Sequence, residues 1–145
     1  MSDTSSLIPS LQISASGLDA QNLRMEVAAS NSANAQSTHG ANGKAFRRKE
    51  VVFAAELEHA IGGKQRASDL HGVRVQSIVE DQRPPTRVYK PGHPDADTDG
   101  YVSMPNVNPV EEMVSMMSAS RGYDANLAAI KSALDMARKA LEIGR

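Results

Sequence analysis

The 145-residue chain contains no cysteine and no tryptophan, and only 3% of its residues are aromatic. The absence of cysteine excludes disulfides, thiol catalysis and cysteine-ligated metals. Aromatic side chains normally supply much of the buried area of a compact core, so we do not expect a large, well-filled core. The formal net charge is -1. Nucleic-acid binders usually carry a basic excess, so no nucleic-acid partner is expected.

Long hydrophobic runs are also missing. No apolar run approaches the roughly 18 residues that a membrane span requires, so direct membrane insertion is not expected. The N-terminus "MSDTSSLIPSLQISASG" lacks the basic region and the continuous apolar stretch of a Sec signal peptide. The protein is therefore expected to be cytoplasmic or to be exported by a pathway that recognises another signal.

Motifs that carry enzymatic chemistry are absent as well. The chain has no nucleophile elbow, no P-loop and no dinucleotide-binding fingerprint. The pair Glu111 and Glu112 are neighbours in a predicted helix, where adjacent side chains do not face each other. We expect them to serve the first turn of that helix through capping and the helix dipole. The sequence thus predicts neither an enzyme nor a bound cofactor or metal.

Residues 7–36 predict one long amphipathic helix. Ser6 is a plausible N-cap and Pro9 falls in the first turn, where proline is tolerated. Gly17 weakens the helix slightly. A heptad-like stripe recurs at alternating spacings of three and four residues. Its members are Ile8, Leu11, Ala15, Leu18, Asn22, Met25, Ala29 and Ser32.

The last segment predicts a second long helix with a well-marked start. Asn108 can cap it, Pro109 suits the first helical position, and Glu111 stands where a capping-box carboxylate belongs. Gly144 supplies a stop, and Gly122 is an internal weak point. The same spacing continues through Met113, Met116, Ser120, Tyr123, Leu127, Ile130, Leu134, Ala137 and Leu141.

The middle of the chain, residues 39–106, holds most of the glycines, prolines and aromatic residues. Short alternating runs predict strands near residues 51–57, 73–79, 86–90 and 100–104, separated by Gly, Pro and Asn turn signals. We therefore predict an α+β fold, in which a small β-rich insert separates the two long helices. So small an insert cannot cover either apolar stripe, so each helix is expected to pair with the other, antiparallel. Stripes that remain exposed indicate further association.

Three polar features in the middle have competing interpretations. Asp95, Asp97, Asp99 and Gly100 spell the beginning of an EF-hand loop, but Asn106 stands where the bidentate Glu belongs. An acidic turn is the favoured reading, with a calcium-regulated module as the alternative. His39, His59, His71 and His93 are scattered without helical ligand spacing. The basic cluster of Lys44, Arg47, Arg48 and Lys49 is expected at a solvated strand end, with an anionic partner as the alternative.

Two stretches resemble a known family. "GLDAQNLRMEVAASNSANAQST" resembles the N-terminal signature of the bacterial flagellar axial (rod and hook) proteins, and "VYKPGHPDADTDGYVSMPNVNPVEEMVSMMSASRGYDAN" is similar to that of proximal-rod members. The resemblance covers nearly the whole chain. One departure is Ser32, where the family usually has Leu.

The resemblance implies a structural subunit of the flagellar rod. Residues 1–38 and 107–145 would pair in a coiled-coil-like inner domain, and residues 39–106 would project outward. Copies of the chain would stack helically with other rod proteins and contact the export-gate and distal-rod neighbours. The resemblance also implies a periplasm-spanning location and type III export without a cleaved signal. A non-exported coiled-coil adaptor with a β insert is the alternative.

We expect assembly contacts on both helices. The amides of Asn31 and Asn34 are expected to bond partners on adjacent helices, although fraying of the helix end is an equal alternative. The Met-rich run "EEMVSMMSASRGY", residues 111–123, is expected to pack in the core, to contact non-identical neighbouring subunits, or both. The expected interface residues are Leu11, Leu18, Met25, Ser30, Asn31, Ala33, Asn34, Met113, Met116, Met117, Tyr123, Asn126, Leu127, Ile130, Leu134 and Leu141.

Overall fold

The computed structural model describes residues 4–40, 43–57 and 71–143. Helix α1 (Thr4–Ala33) leads into strands β1 (Lys49–Leu57), β2 (His71–Glu80), β3 (Thr86–Tyr89) and β4 (Tyr101–Met104), and helix α2 (Pro109–Ile143) follows. The predicted α+β class with an N-terminal helix, a small β insert and a C-terminal helix is confirmed. His59 and the Gly62-Gly63 turn lie outside the described residues. No described helix combines the length and apolarity required to cross a membrane.

The ends of α1 differ from the prediction. The helix begins at Thr4, so Ser6 and Pro9 lie within it rather than at its N-cap and first turn. It ends at Ala33, three residues before the predicted end. Asn34 terminates it, since its side-chain amide donates to the carbonyl of Ser30 at 2.9 Å and its Oδ1 accepts from the Ser37 hydroxyl at 3.1 Å. Local capping therefore ends the helix inside the small-residue run.

The start of α2 follows the prediction closely. The Asn108 Oδ1 accepts from the Val110 amide at 3.1 Å, and the Asn108 carbonyl accepts the Glu112 amide at 3.1 Å. Glu111 accepts from the Asn108 side-chain amide at 3.2 Å. The cap is therefore formed as predicted, with a side-chain partner for Glu111 where a capping box would use the backbone amide. The helix reaches Ile143, and Gly144 lies outside the described residues.

The four strands form two separate antiparallel ladders. In the first, β1 pairs with β2, with Lys49 opposite Glu80, and the register shifts between Val52 and Phe53. In the second, β3 pairs with β4, and the rings of Tyr89 and Tyr101 stack edge to face at 5.3 Å. A two-stranded hairpin is marginal alone. Each ladder therefore depends on contacts with the rest of the chain.

The two helices lie side by side and run in opposite directions. Gly17 of α1 lies beside Asn126, whereas Asn31, near the other end of α1, bonds Glu112. The buried apolar side chains of the described residues are few and mostly small, as the low aromatic content predicts. They are Ala20, Val27, Ala28, Val102 and Ala119.

The buried face of α1 is not the predicted stripe. Ala20, Val27 and Asn31 are buried and follow helical spacing along one side. At about 100° per residue, the stripe that includes Leu18 and Met25 lies on the opposite side. Gly17 and Gln21, which meet α2, lie between this buried side and the stripe, so the packing of the stripe itself against α2 stays a prediction. Ala15, Asn22 and Ala29 of the stripe are exposed, and Leu11, Leu18, Met25 and Ser32 are partly buried.

Candidate functional site: a polar junction between the helices and the insert

Asn31, near the C-terminal end of α1, joins that helix to the first strand. Its side chain is 1% exposed. The amide nitrogen donates to the Lys49 carbonyl at 2.8 Å, and the Oδ1 accepts the Lys49 amide at 2.9 Å. One side chain thus satisfies both backbone groups of the first residue of β1, as a neighbouring strand would. This pair of hydrogen bonds fixes the position at which the chain enters the insert.

Glu112 brings the N-terminal end of α2 to the same place. Its Oε2 accepts from the Asn31 amide at 3.1 Å, and its Oε1 accepts from Arg48 Nε at 2.6 Å. Glu112 is 1% exposed, and Arg48 lies 3.6 Å from a second carboxylate, that of Glu50. We call Asn31, Arg48, Lys49 and Glu112 the polar junction. It holds α1, β1 and α2 together at one point.

The junction specifies an arrangement more than it stabilises one. A carboxylate removed from water loses hydration free energy, which its pairing with a guanidinium restores only when the remaining lone pairs are also bonded. At the junction both Glu112 oxygens have donors. An arrangement that separated Glu112 from Arg48 would leave a buried charge unpaired, which is costly. The junction therefore favours a single orientation of the insert relative to the helix pair.

The junction confirms one sequence expectation, for Asn31, and corrects two, for Arg48 and Glu112. The Asn31 amide bonds a partner on the adjacent helix, as predicted. Asn34 bonds its own helix end and the following turn, and its expected contact with an adjacent helix of the assembly stays a prediction. Arg48 leaves the expected solvated cluster and is largely buried against Glu112. Glu112 is itself a buried ion-pair partner rather than only a first-turn acid, and no sequence signal distinguished it from Glu111.

A second contact joins the segment after α1 to the β3–β4 unit. The Thr38 hydroxyl donates to Asp95 Oδ2 at 2.6 Å, and His39 Nδ1 lies 3.1 Å from the same oxygen. His93 Nδ1 accepts the Asp95 amide at 3.1 Å. The Thr38 hydroxyl, and then His39, hold the pKa of Asp95 below its usual value. Two histidines that look scattered in the sequence thus meet at one carboxylate.

Asp97 organises the turn between β3 and β4. Its Oδ1 accepts the amides of Asp99 at 3.0 Å and Tyr101 at 2.8 Å, and its Oδ2 accepts from Arg87. The Tyr101 amide, together with Arg87, lowers the pKa of Asp97. Gly100 completes the turn at a φ of +80°. Both carboxylate oxygens of Asp97 are used by the fold, so the geometry is that of the acidic turn rather than of a calcium loop.

A groove of about 600 Å³ separates this unit from the segment after α1. Asp81 lies on its edge, paired with Arg83 through a 2.7 Å hydrogen bond. The Arg83 side chain, followed by its backbone amide, lowers the Asp81 pKa to about 2. Arg48 also lines the groove, so the polar junction forms part of its wall.

The outer side of α2 carries an exposed apolar row near its start. Val110, Met113, Val114 and Met117 are exposed by 66%, 56%, 61% and 58%. Their spacing of three, four and seven residues places them on one face. Glu112 and Ala119, which are buried, occupy the other side. We call these four residues the α2 row.

The predicted interface residues fall into three groups. Those with well-exposed side chains are Ala33, Met113, Met117, Leu134 and Leu141. Asn31 is buried within its own chain, and Asn126 lies beside Gly17. The remaining positions are all partly buried: Leu11, Leu18, Met25, Ser30, Asn34, Met116, Tyr123, Leu127 and Ile130.

Comparison with known proteins gives this architecture a class. Residues 98–143 match the family described as flagellar basal body rod FlgEFG protein, C-terminal. This segment contains the end of the Asp97 turn, β4, the cap of α2 and the α2 row. The fold and the match together define a structural protein of the flagellar basal-body rod, and proteins of this class are not enzymes.

Full-length relatives narrow the class to one family. The chain is 45% identical over 139 residues to the flagellar basal-body rod protein FlgC of Salmonella typhimurium, covering 96% of this chain and 98% of the relative. It is 42% identical to the FlgC of Bacillus subtilis and 40% identical to that of Borreliella burgdorferi, in both cases over 94% of this chain and 97% of the relative. The chain belongs to the FlgC family of flagellar basal-body rod proteins. The resemblance read from the two sequence stretches is confirmed.

Proposed function

We propose that the chain builds the rod by helical assembly, in which copies of itself and other rod proteins join through the outward faces of α1 and α2. In this arrangement it transmits torque from the motor to the hook and filament and contributes to the wall of the export channel. The periplasm-spanning position, type III export without a cleaved signal, and contacts toward the export gate and the distal rod belong to the same proposal.

The α2 row is the observation that supports this proposal. Four neighbouring apolar side chains remain more than half exposed, although each would gain free energy by leaving water. Soluble monomers rarely expose continuous apolar patches of this kind unless the patch is a contact surface. Methionine side chains adapt to differently shaped partners, which suits a subunit that contacts both copies of itself and other rod proteins.

The outward stripe of α1 supports the same arrangement. Leu11, Leu18 and Met25 lie beside the line of residues that meets α2 and keep part of their surface exposed, so we propose that they contact neighbouring subunits. We propose that residues 1–38 and 107–145 form one coiled-coil-like inner domain and that residues 39–106 form the outer insert. A head-to-tail contact that does not close into a ring produces a helical filament. Two outward faces on one helix pair are suited to such a contact.

The polar junction gives the torque path a physical basis. Torque passes through a subunit only if its parts do not rotate freely against one another. Asn31 and Glu112 tie α1, β1 and α2 together through buried hydrogen bonds of 2.6–3.1 Å. We therefore propose that load on the insert reaches both helices through the polar junction.

Substitution in the α2 row tests the assembly. Met117→Asp introduces a charge on an exposed position, so the isolated chain should keep its melting temperature within about 2 °C, whereas burial of that charge between subunits should abolish rod assembly. Met117→Leu keeps the size and apolarity and serves as the matched control. The measurements are thermal unfolding of the purified chain and swimming motility when each variant replaces the native protein. Normal motility with Met117→Asp and Met113→Asp combined would contradict the proposal.

A further inference from the structure

Both long helices carry a glycine in their interior, where glycine is the least favourable residue after proline. The structure shows a packing reason for each. A Cβ at Gly17 would lie 2.8 Å from Nδ2 of Asn126, and a Cβ at Gly122 would lie 3.0 Å from Cδ of Gln21. The first distance is shorter than real Cβ contacts and the second is tighter than nearly all of them, so each glycine makes room for an amide side chain of the other helix.

The two contacts are reciprocal. On α1 the glycine precedes the glutamine by four residues, and on α2 the glycine precedes the asparagine by four residues. Residues four apart share one face of a helix, and the helices run in opposite directions, so each glycine meets the other helix's amide. We propose that Gly17, Gln21, Gly122 and Asn126 form a clasp that sets the axial register of α1 against α2.

The polar junction obeys the same register. Ten residues along α1 from Gln21 to Asn31 correspond to ten residues back along α2 from Gly122 to Glu112, and Asn31 bonds Glu112. At 1.5 Å per residue the two contacts lie about 15 Å apart. The junction fixes the helix pair at the insert, and the clasp fixes its distal half.

Slippage by one turn is disfavoured in both directions. One direction brings Gln21 against Asn126 and places Ile130 over Gly17, where no space for a branched side chain exists. The opposite direction brings Gly17 against Gly122 and leaves a gap without side chains to fill it. Long apolar residues give no such discrimination here, since the buried apolar side chains of the two helices are mainly alanine.

The clasp gives specificity at some expense of stability. The Gln21 Oε1 atom is buried and has no hydrogen-bond partner among the described residues. A buried acceptor without a donor is unfavourable, so Gln21 is poorly explained as a stabilising residue. It is explained as a residue whose shape matches the space above Gly122.

Thermal unfolding of the full-length chain, monitored by the helical circular dichroism signal, tests the close contact through the direction of the change in Tm. In a helix without a close neighbour, Gly17→Ala or Gly122→Ala raises helical stability. The clasp predicts that Gly17→Ala and Gly122→Ala each lower the Tm by about 3–8 °C. The double variants Gly17→Ala/Asn126→Ala and Gly122→Ala/Gln21→Ala, which remove the clashing amide, should recover at least half of that loss. Gly92→Ala, where a Cβ meets nothing within 4 Å, and Asn22→Ala, on the outward side of α1, are the controls. A rise in Tm for either glycine variant, or no recovery in the doubles, overturns the proposal.

A distance measurement tests the register itself. Because the chain has no cysteine, spin labels can be placed at Gln12→Cys and Ser132→Cys, both exposed, on the distal halves of the two helices. The clasp predicts one narrow distance in the otherwise unaltered chain. Gln21→Ala/Asn126→Ala should broaden it or shift it by about 5 Å, one helical turn, while Asn22→Ala leaves it unchanged. A narrow, unshifted distance after removal of both amides overturns the register claim.

Discussion

Replacement of Glu112 by glutamine gives the most direct measure of the polar junction. The substitution keeps the shape of the side chain and removes its charge. Glu112 is 1% exposed, and its Oε1 accepts from Arg48 Nε at 2.6 Å. The neutral side chain leaves the guanidinium of Arg48 without its buried counter-ion. Only Oε1 of the glutamine amide can accept, so one of the two donors, Asn31 Nδ2 or Arg48 Nε, faces the Nε2 donor instead of an acceptor.

The expected loss follows from the burial of both partners. Breaking a buried ion pair by removing one partner costs about 3–5 kcal/mol. The Arg48 side chain keeps 21% of its surface in solvent and has Glu50 at 3.6 Å as a second carboxylate. We therefore place Glu112→Gln at the lower end, about 3 kcal/mol, which corresponds to a fall in Tm of about 9 °C for a chain of this length.

Glu111→Gln is the matched control. Both glutamates lie in the first turn of α2, so both gain about 0.3–1 kcal/mol from the helix dipole. Glu111 is exposed and bonds only the Asn108 side chain within the described residues. Urea unfolding of the two variants separates the dipole contribution from the buried pair. A loss for Glu112→Gln equal to that for Glu111→Gln would refute the reasoning.

Three further predictions test the neighbouring contacts. Asn31→Ala should cost about 2–3 kcal/mol in urea unfolding, because it removes the partner of both part-buried Lys49 backbone groups, whereas Asn34→Ala should cost about 1 kcal/mol. Wild-type assembly and motility in both variants would exclude a role for either amide. The folded-state pKa of Asp97 is lowered, so its contribution to stability is present above the unfolded pKa near 3.8 and is lost as the pH falls through the folded pKa. Asp97→Asn should therefore reduce the fall in the free energy of unfolding below about pH 4. An unchanged pH dependence in that range would contradict this. Amide hydrogens in residues 4–33 and 109–143 should exchange faster in the free chain than in the assembled rod, because few apolar residues hold the helix pair closed; equal protection in both states would favour the adaptor alternative.

Much of the fold can be predicted from local chemistry. Asn108, Pro109 and Glu111 specify the start of α2, since a cap depends on residues within one turn. Alternation and turn residues locate all four strands to within a few positions. The start of α1 was missed, because Ser6 and Pro9 are compatible with a helix end without requiring one.

The candidate site was only partly accessible from sequence. Asn31 could be singled out because it lies in a signature stretch of the family. Glu112 and Arg48 could not, since each stands beside a residue of the same charge type that remains more exposed. Which member of such a pair is buried depends on how the insert is oriented over the helices, and that orientation arises from contacts 64 residues apart in the chain.

The two long helices, the β insert between them, the family and the absence of catalytic motifs follow from the amino-acid sequence, because these depend on local spacing and on recognisable stretches. The identity of the buried face of each helix depends instead on tertiary contacts. The apolar stripe that contains Leu18 and Met25 is only partly buried, whereas Ala20, Val27 and Asn31 on the other side of α1 are buried. Glycine permits the close approach of the helices at Gly17 and Gly122, while the larger side chains of the stripe keep part of their surface exposed. Hydrophobic periodicity predicts that a helix has two different faces. Which face packs within the chain depends on how closely the two helices approach each other.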